Sequence, residues 1–587
     1  MTGQLQRRNL ITLLVSAVIL ALIFGNGENW NFSDGAANEA LFCAFIFFLV
    51  VLIPLFFVLN AKAGQWLNEK LDSLRQWAKQ LWQDKRALAV NAGIVVVSIP
   101  VSLGISRAAA SVFDIENNMI LQHSVMAFVL MCVCVYLLRK QTGTKPELLF
   151  FLITVILGLY MVQTRPVEVG YSWDDQDHFE RTISLATLNG PYYEADQSFY
   201  LNAWEPASKA SRIEREERTA FLNTSYANRV VIEPYRHGNL KHLSIESYTP
   251  YAAGIVFGRG IGLSYVASLQ CGLFFNVLFY AAVMAWAMSK LKFGKILLAV
   301  IALFPTNMYM VTSFSYDPWI TAWVTLGYAV FISYLQDKDK KMTGKDMALM
   351  NAAFIIGCLP KAIYFVLMFP LLFMPKDRFT DARQHKKYIW SVLLSAFFLA
   401  ATFVLPMFIG GAGTGDARGG EEVNSTMQIK FILGEPFTYA GILFRFLFED
   451  YLLPWHADQY MVNYAYMGMA KEVFLPAGLT VLAVMFTDRN GTPGKTKAVM
   501  LSSMFAFLSM AVVIATAMYV SFTPVRYTTV NGCQPRYLIP MVFPALYMHG
   551  IDRFDNKMNK AIYHAVPVLL MACLTIISLG SRLYAMY

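Results

Sequence analysis

The sequence predicts an all-α polytopic membrane protein with about 12–14 membrane-embedded helices, a large external loop and broken or re-entrant helices. Three observations carry this. The chain is 56% hydrophobic and only 15% charged, with a mean hydropathy of +0.45, where a soluble chain carries about a quarter charged residues. Many windows hold close to twenty apolar residues, the length that crosses ~30 Å of hydrocarbon at ~1.5 Å per residue. The basic residues gather in short loops between those windows, as the positive-inside rule expects. The alternating segments of about ten residues that mark a membrane β-barrel are absent. The net charge of +9 therefore describes loops rather than a nucleic-acid surface. The seven cysteines are scattered, six of them in or beside apolar runs, and form neither a disulfide framework nor a metal spacing.

Residues 1–146 read as a four-span extension. Its apolar runs are 9–25, 40–60, 87–106 and 119–138, with the N-terminus in the cytoplasm. Between the second and third, residues 61–86 alternate Trp66, Trp77 and Trp82 with Lys70, Arg75, Lys79, Lys85 and Arg86, the pattern of an amphipathic helix on the cytoplasmic surface. Residues 147–587 read as the main transmembrane domain. Run 148–162 leads outside, into a polar segment over 163–249 with nine Lys/Arg and thirteen Asp/Glu, an acidic excess that suits an external loop. Within it, residues 211–218 form a charged helical piece with pairs such as Glu214 with Arg218.

Residues 252–262 are apolar but too short to span and read as a helix dipping in from outside. Runs 263–288, 296–312 and 318–335 alternate across the bilayer. Run 347–375 is too long for one span and too short for two, and Leu359-Pro360-Lys361 breaks it. With basic flanks at both ends, two short helices enter and leave on one side and leave Lys361 at the deep tip. Run 391–409, a glycine-rich loop, an interfacial segment over 437–455, and runs 464–486, 499–520, 537–548 and 562–583 complete the chain. No repeat period and no inverted-repeat pair is visible, which disfavours a transporter.

The polar residues that solvation does not explain concentrate on the outer face. Residues 171–181 alone place Asp174, Asp175, Asp177, His178, Glu180 and Arg181 just past an apolar run, and acids at a membrane surface are often functional. Asp317 lies at an outer turn, His456 in an external interfacial segment, Lys361 at the tip of the broken helix, and Arg536 at the start of a span. Each has a plainer reading. Asp174 and Asp175 could cap a helix. Asp317 before Pro318 could start one. Lys361 could snorkel, and Arg536 could anchor at the interface.

Carboxylates beside Lys and Arg at a membrane surface suit a phosphorylated lipid whose head group is held and whose bond is broken. Asp174 would be the base on an acceptor hydroxyl, and Asp175 its partner. Asp177, His178, Asp317 and His456 would support them. Arg259, Lys361 and Arg536 would hold the donor phosphate. A divalent cation on Asp174, Asp175 and Asp177 is left open.

Trp173-Asp-Asp-Gln-Asp-His-Phe179, followed by Gly190, resembles the Asp-Glu-x-x-His-Phe region of the bacterial multi-pass family called domain of unknown function 2142. Four further stretches agree in order: Tyr248-Thr-Pro-Tyr251 to Gly258-Arg259, Ser313-Phe-Ser-Tyr-Asp317, Lys361 with Tyr364, and Gly532-Cys-Gln-Pro-Arg536-Tyr537. The resemblance covers residue 148 to the C-terminus. That family is similar to GT-C glycosyltransferases, whose first external loop carries an acidic motif acting on a polyprenyl-phosphate sugar. By resemblance Asp174 and Asp175 take the acidic pair, with Asp in place of the usual Glu at the second position, and Gln-Pro-Arg replaces Gln-Gly-Arg.

The expected function is a membrane glycosyltransferase of the plasma (inner) membrane. Its site faces the extracytoplasmic side and moves a sugar, with inversion, from a polyprenyl-phosphate donor to a cell-surface glycan or lipid-linked acceptor. Membrane lipids, and no nucleic acid, are its other partners. The alternative is a transporter or flippase of a lipid-linked saccharide. A polymerase or ligase using lipid-diphosphate donors ranks lower, for want of outer-loop arginines.

Overall fold

The structure is a computed structural model. It describes residues 85–187, 192–201, 212–232, 245–409, 420, 422–488, 494–550 and 556–586, with a few positions between 65 and 76. The first two expected spans, most of the amphipathic helix and the glycine-rich loop lie outside the described residues.

The described chain is helical nearly throughout; its one sheet pairs Tyr192–Tyr193 with Val231–Ile232, antiparallel. Among the described residues eight helices are long and apolar enough to cross a membrane, or up to nine if one bent pair counts as a span. They include Ala89–Phe113, Met119–Thr142, Pro146–Thr164, Tyr265–Lys290, Asp317–Gln336, Lys497–Phe522 and Lys560–Met586. Each overlaps a span expected from apolar length alone. The bent pair is Ser425–Gly434 with Pro436–Tyr451, turned by 106°. Pro436 opens the second arm, and it has no N–H to continue the first.

The chain gathers into two compact units. The first takes the described residues up to Val133, with Pro166–Gly170 and Asp174–Phe275. The second takes Cys134–Arg165, Tyr171–Trp173 and the described residues from Asn276 on.

In the first unit the short Thr249–Gly260 helix is seated by glycines. A Cβ at Gly254 would lie 2.5 Å from the Cys271 carbonyl oxygen, and one at Gly258 would lie 3.0 Å from Ser268 Cα. Glycine at both positions lets two backbones approach as they do at small-residue helix contacts in membranes. The charged helix of the polar segment is Arg212–Ala227. It is not wholly solvated: Arg215 is buried, and Arg218 reaches Glu168 at 3.5 Å. Burial pushes the Glu168 carboxyl up, against the opposing pull of Arg218 and Arg215.

In the second unit the broken segment folds as a hairpin. One arm is Gly344–Cys358 and the other Leu359–Phe373, and Lys361 interrupts the helical backbone at φ −145°, ψ 73°. The ends of the hairpin meet. The Met342 N–H donates to the Arg378 carbonyl at 2.8 Å, and the buried Arg378 side chain donates to the carbonyls of Tyr334 and Lys338. Both arms lie along the Asp317–Gln336 helix. Trp319 donates to the Ile356 carbonyl on the outgoing arm, and Tyr328 to the Leu367 carbonyl on the returning arm. The outgoing arm has 15 residues, so it reaches about 22 Å at ~1.5 Å per residue. Lys361 is thereby carried to the level of Asp317, at the start of the neighbouring helix.

Three expected spans differ. Run 296–312 is two short helices, Lys295–Ala302 and Pro305–Val311, parted where Phe304 turns extended before Pro305. Run 464–486 begins only at Lys471, after a loop in which Ala465 and Gly468 take positive φ. Run 537–548 is a Pro535–Leu538 turn leading into the Ile539–His549 helix, whose 11 residues do not make a full crossing.

Candidate functional site

In the first unit the acidic stretch begins a helix. Asp174 stands at its mouth in the left-handed region, φ 53°, and its carbonyl accepts the His178 N–H. Asp is one of the few non-glycine residue types that adopt this conformation readily. The Asp175–Thr187 helix follows. Asp175 is buried, and both of its carboxylate oxygens accept the Gly170 N–H, at 2.9 and 3.1 Å. Gly170 itself has φ 89°. Asp175 thus closes the loop that presents Asp174, while Asp174 and Asp177 stay half-buried.

His178 is buried, and its Nδ1 is 2.8 Å from the Tyr248 hydroxyl. This ties the helix to the Ile245–Tyr248 turn. On the same turn the Glu246 Oε1 atom is buried with no hydrogen-bond partner among the described residues, and burial pushes the carboxyl up to about 7. Arg259 in this unit is enclosed. Its guanidinium meets Asp196 at 3.1 Å and lies 5.2 to 5.9 Å from the ring centres of Tyr193, Tyr226 and Tyr265. The Tyr265 hydroxyl donates to the same Asp196 oxygen at 2.9 Å.

The second unit assembles the cations. Asp317 is the first residue of its helix, but its carboxylate turns to Arg536 at 2.9 Å, with side-chain exposures of 15% and 3%. The pair is therefore a buried ion pair rather than a cap, the kind whose disruption is costly. The Arg536 guanidinium lies between two rings, 4.9 Å from the centre of Trp173 and 5.3 Å from that of Tyr537. The Lys361 ammonium lies over the same Tyr537 ring at 3.1 Å. Such placement suits partly desolvated cations.

Local chemistry explains the arrangement. Pro535 opens the one-turn helix that holds Arg536, a place where a missing N–H costs nothing. Gly532 precedes it at φ 73°, where a Cβ would sit 2.5 Å from the Phe522 ring. The Tyr537 carbonyl accepts the Tyr364 hydroxyl at 2.7 Å, which joins the Arg536 turn to the hairpin that carries Lys361. Burial pushes the Cys533 thiol, beside Tyr451, up to about 12, so it does not ionise at neutral pH.

Arg165 is a site residue that the sequence reading passes over. It is buried and donates to the Thr312 carbonyl and, at 2.8 Å, to the Ser313 hydroxyl. It lies over the Tyr309 ring at 4.7 Å, and the Tyr309 hydroxyl donates to the Tyr171 carbonyl. It therefore fixes the turn that ends in Asp317. The signal available was an arginine followed by proline at the outer end of an apolar run.

The second unit thus brings together Asp317, Lys361 and Arg536. His456 lies in this unit too, with Nε2 2.8 Å from the Glu449 carbonyl oxygen. Asp174, Asp175, Asp177, His178 and Arg259 belong to the first. Among the described residues no three His, Cys, Asp or Glu side chains are grouped to hold a metal ion, Asp174, Asp175 and Asp177 included.

A family model described as predicted membrane protein (DUF2142) matches residues 156–544, well over half of the chain. No curated protein and no solved structure matches. The matched range contains Arg165, the acidic stretch, the hairpin and Arg536.

Proposed function

The chain belongs to the DUF2142 family of predicted membrane proteins, and we propose that it is a glycosyltransferase. It would take a sugar from a polyprenyl-phosphate donor and pass it to a glycan or lipid-linked acceptor at the extracytoplasmic face of the plasma (inner) membrane. The observation that carries this reading is the Arg536 fork, paired with Asp317, and the Lys361 ammonium over the Tyr537 ring that Arg536 also meets. A guanidinium offers paired donors to phosphate oxygens, and an ammonium adds a compact charge.

In this reading Arg536 and Lys361 hold the donor phosphate, and Asp317 and Arg165 set their position. Asp174, the residue after Trp173 in the chain, accepts the proton of the acceptor hydroxyl. The acceptor oxygen bonds to the anomeric carbon, and the bond from that carbon to the phosphate oxygen breaks. Polyprenyl phosphate leaves with the electron pair, so the anomeric centre inverts. Asp175, engaged with Gly170, keeps the Asp174 loop in place. Arg259, enclosed with Asp196 and three tyrosines, is assigned to holding the external segment.

The test is transfer from a labelled polyprenyl-phosphate sugar to membrane or glycan acceptors by the purified chain, with and without a chelator. The reading expects labelled product from the native protein. It also expects a loss of about 10²- to 10⁴-fold in the Asp174→Asn variant with its folding unchanged. Movement of intact lipid-linked saccharide across vesicles without transfer would favour a flippase. Full transfer by Asp174→Asn would remove Asp174 from its role.

A further inference from the structure

The chain belongs to the second unit for three residues, Tyr171–Trp173, and to the first on either side of them. Left-handed backbone marks both ends of this clip, Gly170 at φ 89° and Asp174 at φ 53°. The neck is closed by the Asp175 carboxylate on the Gly170 N–H. Each of the three residues has its own anchor in the second unit. The Tyr171 carbonyl accepts the Tyr309 hydroxyl at 2.8 Å. The Ser172 hydroxyl donates to the Met310 sulfur at 3.6 Å, and that sulfur also accepts from the Arg536 guanidinium at 3.8 Å. The Arg536 guanidinium lies 4.9 Å from the centre of the Trp173 ring. Tyr309 is itself held, with Arg165 4.7 Å from its ring centre and the Tyr464 ring at 5.4 Å. A tryptophan at a membrane surface can serve as an anchor alone. Trp173 differs in two respects: it is half-buried against the guanidinium assigned to the phosphate, and the next residue in the chain is the assigned base.

We propose that Trp173 is a positioning residue for the transfer: seated on Arg536, it fixes the point in the chain from which Asp174 is presented to the acceptor hydroxyl. The assignment rests on the donor reading above and names how the base of that reading is placed. Consecutive Cα atoms are about 3.8 Å apart across one peptide, so a fixed Trp173 leaves Asp174 a short tether. The closed neck and the left-handed turn at Asp174 restrict that tether further. Among aromatic side chains an indole holds a cation best. A catalytic group misplaced by about 1 Å can cost on the order of 10²-fold in rate. Arg536 keeps Asp317 as its partner when the Trp173 ring is removed, so donor holding should outlast the loss of Trp173 while proton transfer should not.

The experiment uses the full chain in nanodiscs and a labelled polyprenyl-phosphate sugar. Donor affinity and kcat are measured for Trp173→Leu, Trp173→Phe and Tyr309→Phe, each alone and combined with Asp174→Asn. Trp173→Leu should lower kcat by about tenfold and change donor Kd by less than roughly twofold. Trp173→Phe keeps a ring face and should retain most of kcat. Tyr309→Phe removes the hydroxyl from the Tyr171 carbonyl, a second anchor of the same clip, and should lower kcat in the same way by a smaller factor. In the Asp174→Asn background, Trp173→Leu should lower the residual transfer by less than roughly twofold, because the group it positions is gone. A full tenfold loss in that background would overturn the assignment. Equal losses of donor affinity and kcat would overturn it too, since Trp173 would then serve Arg536 alone. So would native kcat in both Trp173→Leu and Tyr309→Phe. Absence of transfer by the native chain is a different result and removes the donor reading itself.

Discussion

The two units each enclose an arginine with a carboxylate and aromatic rings, and differ in what stands beside it. In the first, Arg259 meets Asp196 and lies among the rings of Tyr193, Tyr226 and Tyr265, while Asp175 is taken up by the Gly170 N–H. In the second, Arg536 and Lys361 are settled against aromatic rings, with Asp317 as the carboxylate in ion-pair contact with Arg536. The second unit thus sets a second cation, Lys361, against the Tyr537 ring that Arg536 also meets. In the proposed reading this is why phosphate holding falls to Arg536 with Lys361 and a structural part to Arg259. The same reading gives proton transfer to Asp174.

Arg536→Ala should have the largest effect on stability. It leaves Asp317 buried without its partner, a loss on the order of 3–5 kcal/mol, visible as a large drop in the thermal unfolding midpoint of the detergent-solubilised protein. Adding Asp317→Asn to that variant should recover part of the drop; no recovery would mean that the pair is not coupled. Gly254→Leu comes next. The carbonyl 2.5 Å from the added Cβ is backbone and cannot yield, so the Thr249–Gly260 helix must shift, at a cost of roughly 1–3 kcal/mol or more. Gly260→Ala has open space around its Cβ and should change little, so equal effects would contradict the packing.

Lys361→Gln keeps side-chain bulk and removes the charge over Tyr537. It should weaken binding of a polyprenyl-phosphate sugar by about tenfold, the equivalent of ~1.4 kcal/mol. It should not alter binding of an uncharged polyprenol, and a parallel loss for both lipids would point to altered packing instead. The effect confined to one side of the pH range belongs to Glu246. Its carboxyl is pushed up to about 7 by burial, so the folded state prefers it protonated. That stability is present below its ordinary value near 4.5 and is lost as pH rises through about 7. Glu246→Gln should therefore raise the unfolding midpoint at pH 8 and leave it unchanged at pH 4; a gain at both would deny the titration.

Apolar run length located most long helices because it measures the quantity that a bilayer tests. The hairpin was legible because a proline and a lysine interrupt a run flanked by positive charge on both sides. Continuity was less legible. Hydropathy passes smoothly over Phe304-Pro305, and only the extended turn before the proline divides that run. The role of Asp317 was undecided between a helix start and a site residue, and its ion pair went unseen, because a partner 219 positions on, Arg536, leaves no local mark. The division of labour between Asp174 and Asp175 was hidden for a related reason. One is taken up by a peptide N–H five residues back, and side-chain to backbone bonds do not register in composition. Arg165 escaped because an arginine at the end of a span ordinarily reads as an anchor.

The most direct measurement compares binding and transfer in parallel. Equilibrium binding of a labelled polyprenyl-phosphate sugar, and its transfer to acceptor, are followed for the native protein, Asp174→Asn and Lys361→Gln. The account predicts that Asp174→Asn binds donor as the native protein does and transfers almost none, while Lys361→Gln binds weakly and recovers transfer at high donor concentration. Loss of binding in Asp174→Asn, or native binding in Lys361→Gln, would contradict the separation of proton transfer from phosphate holding.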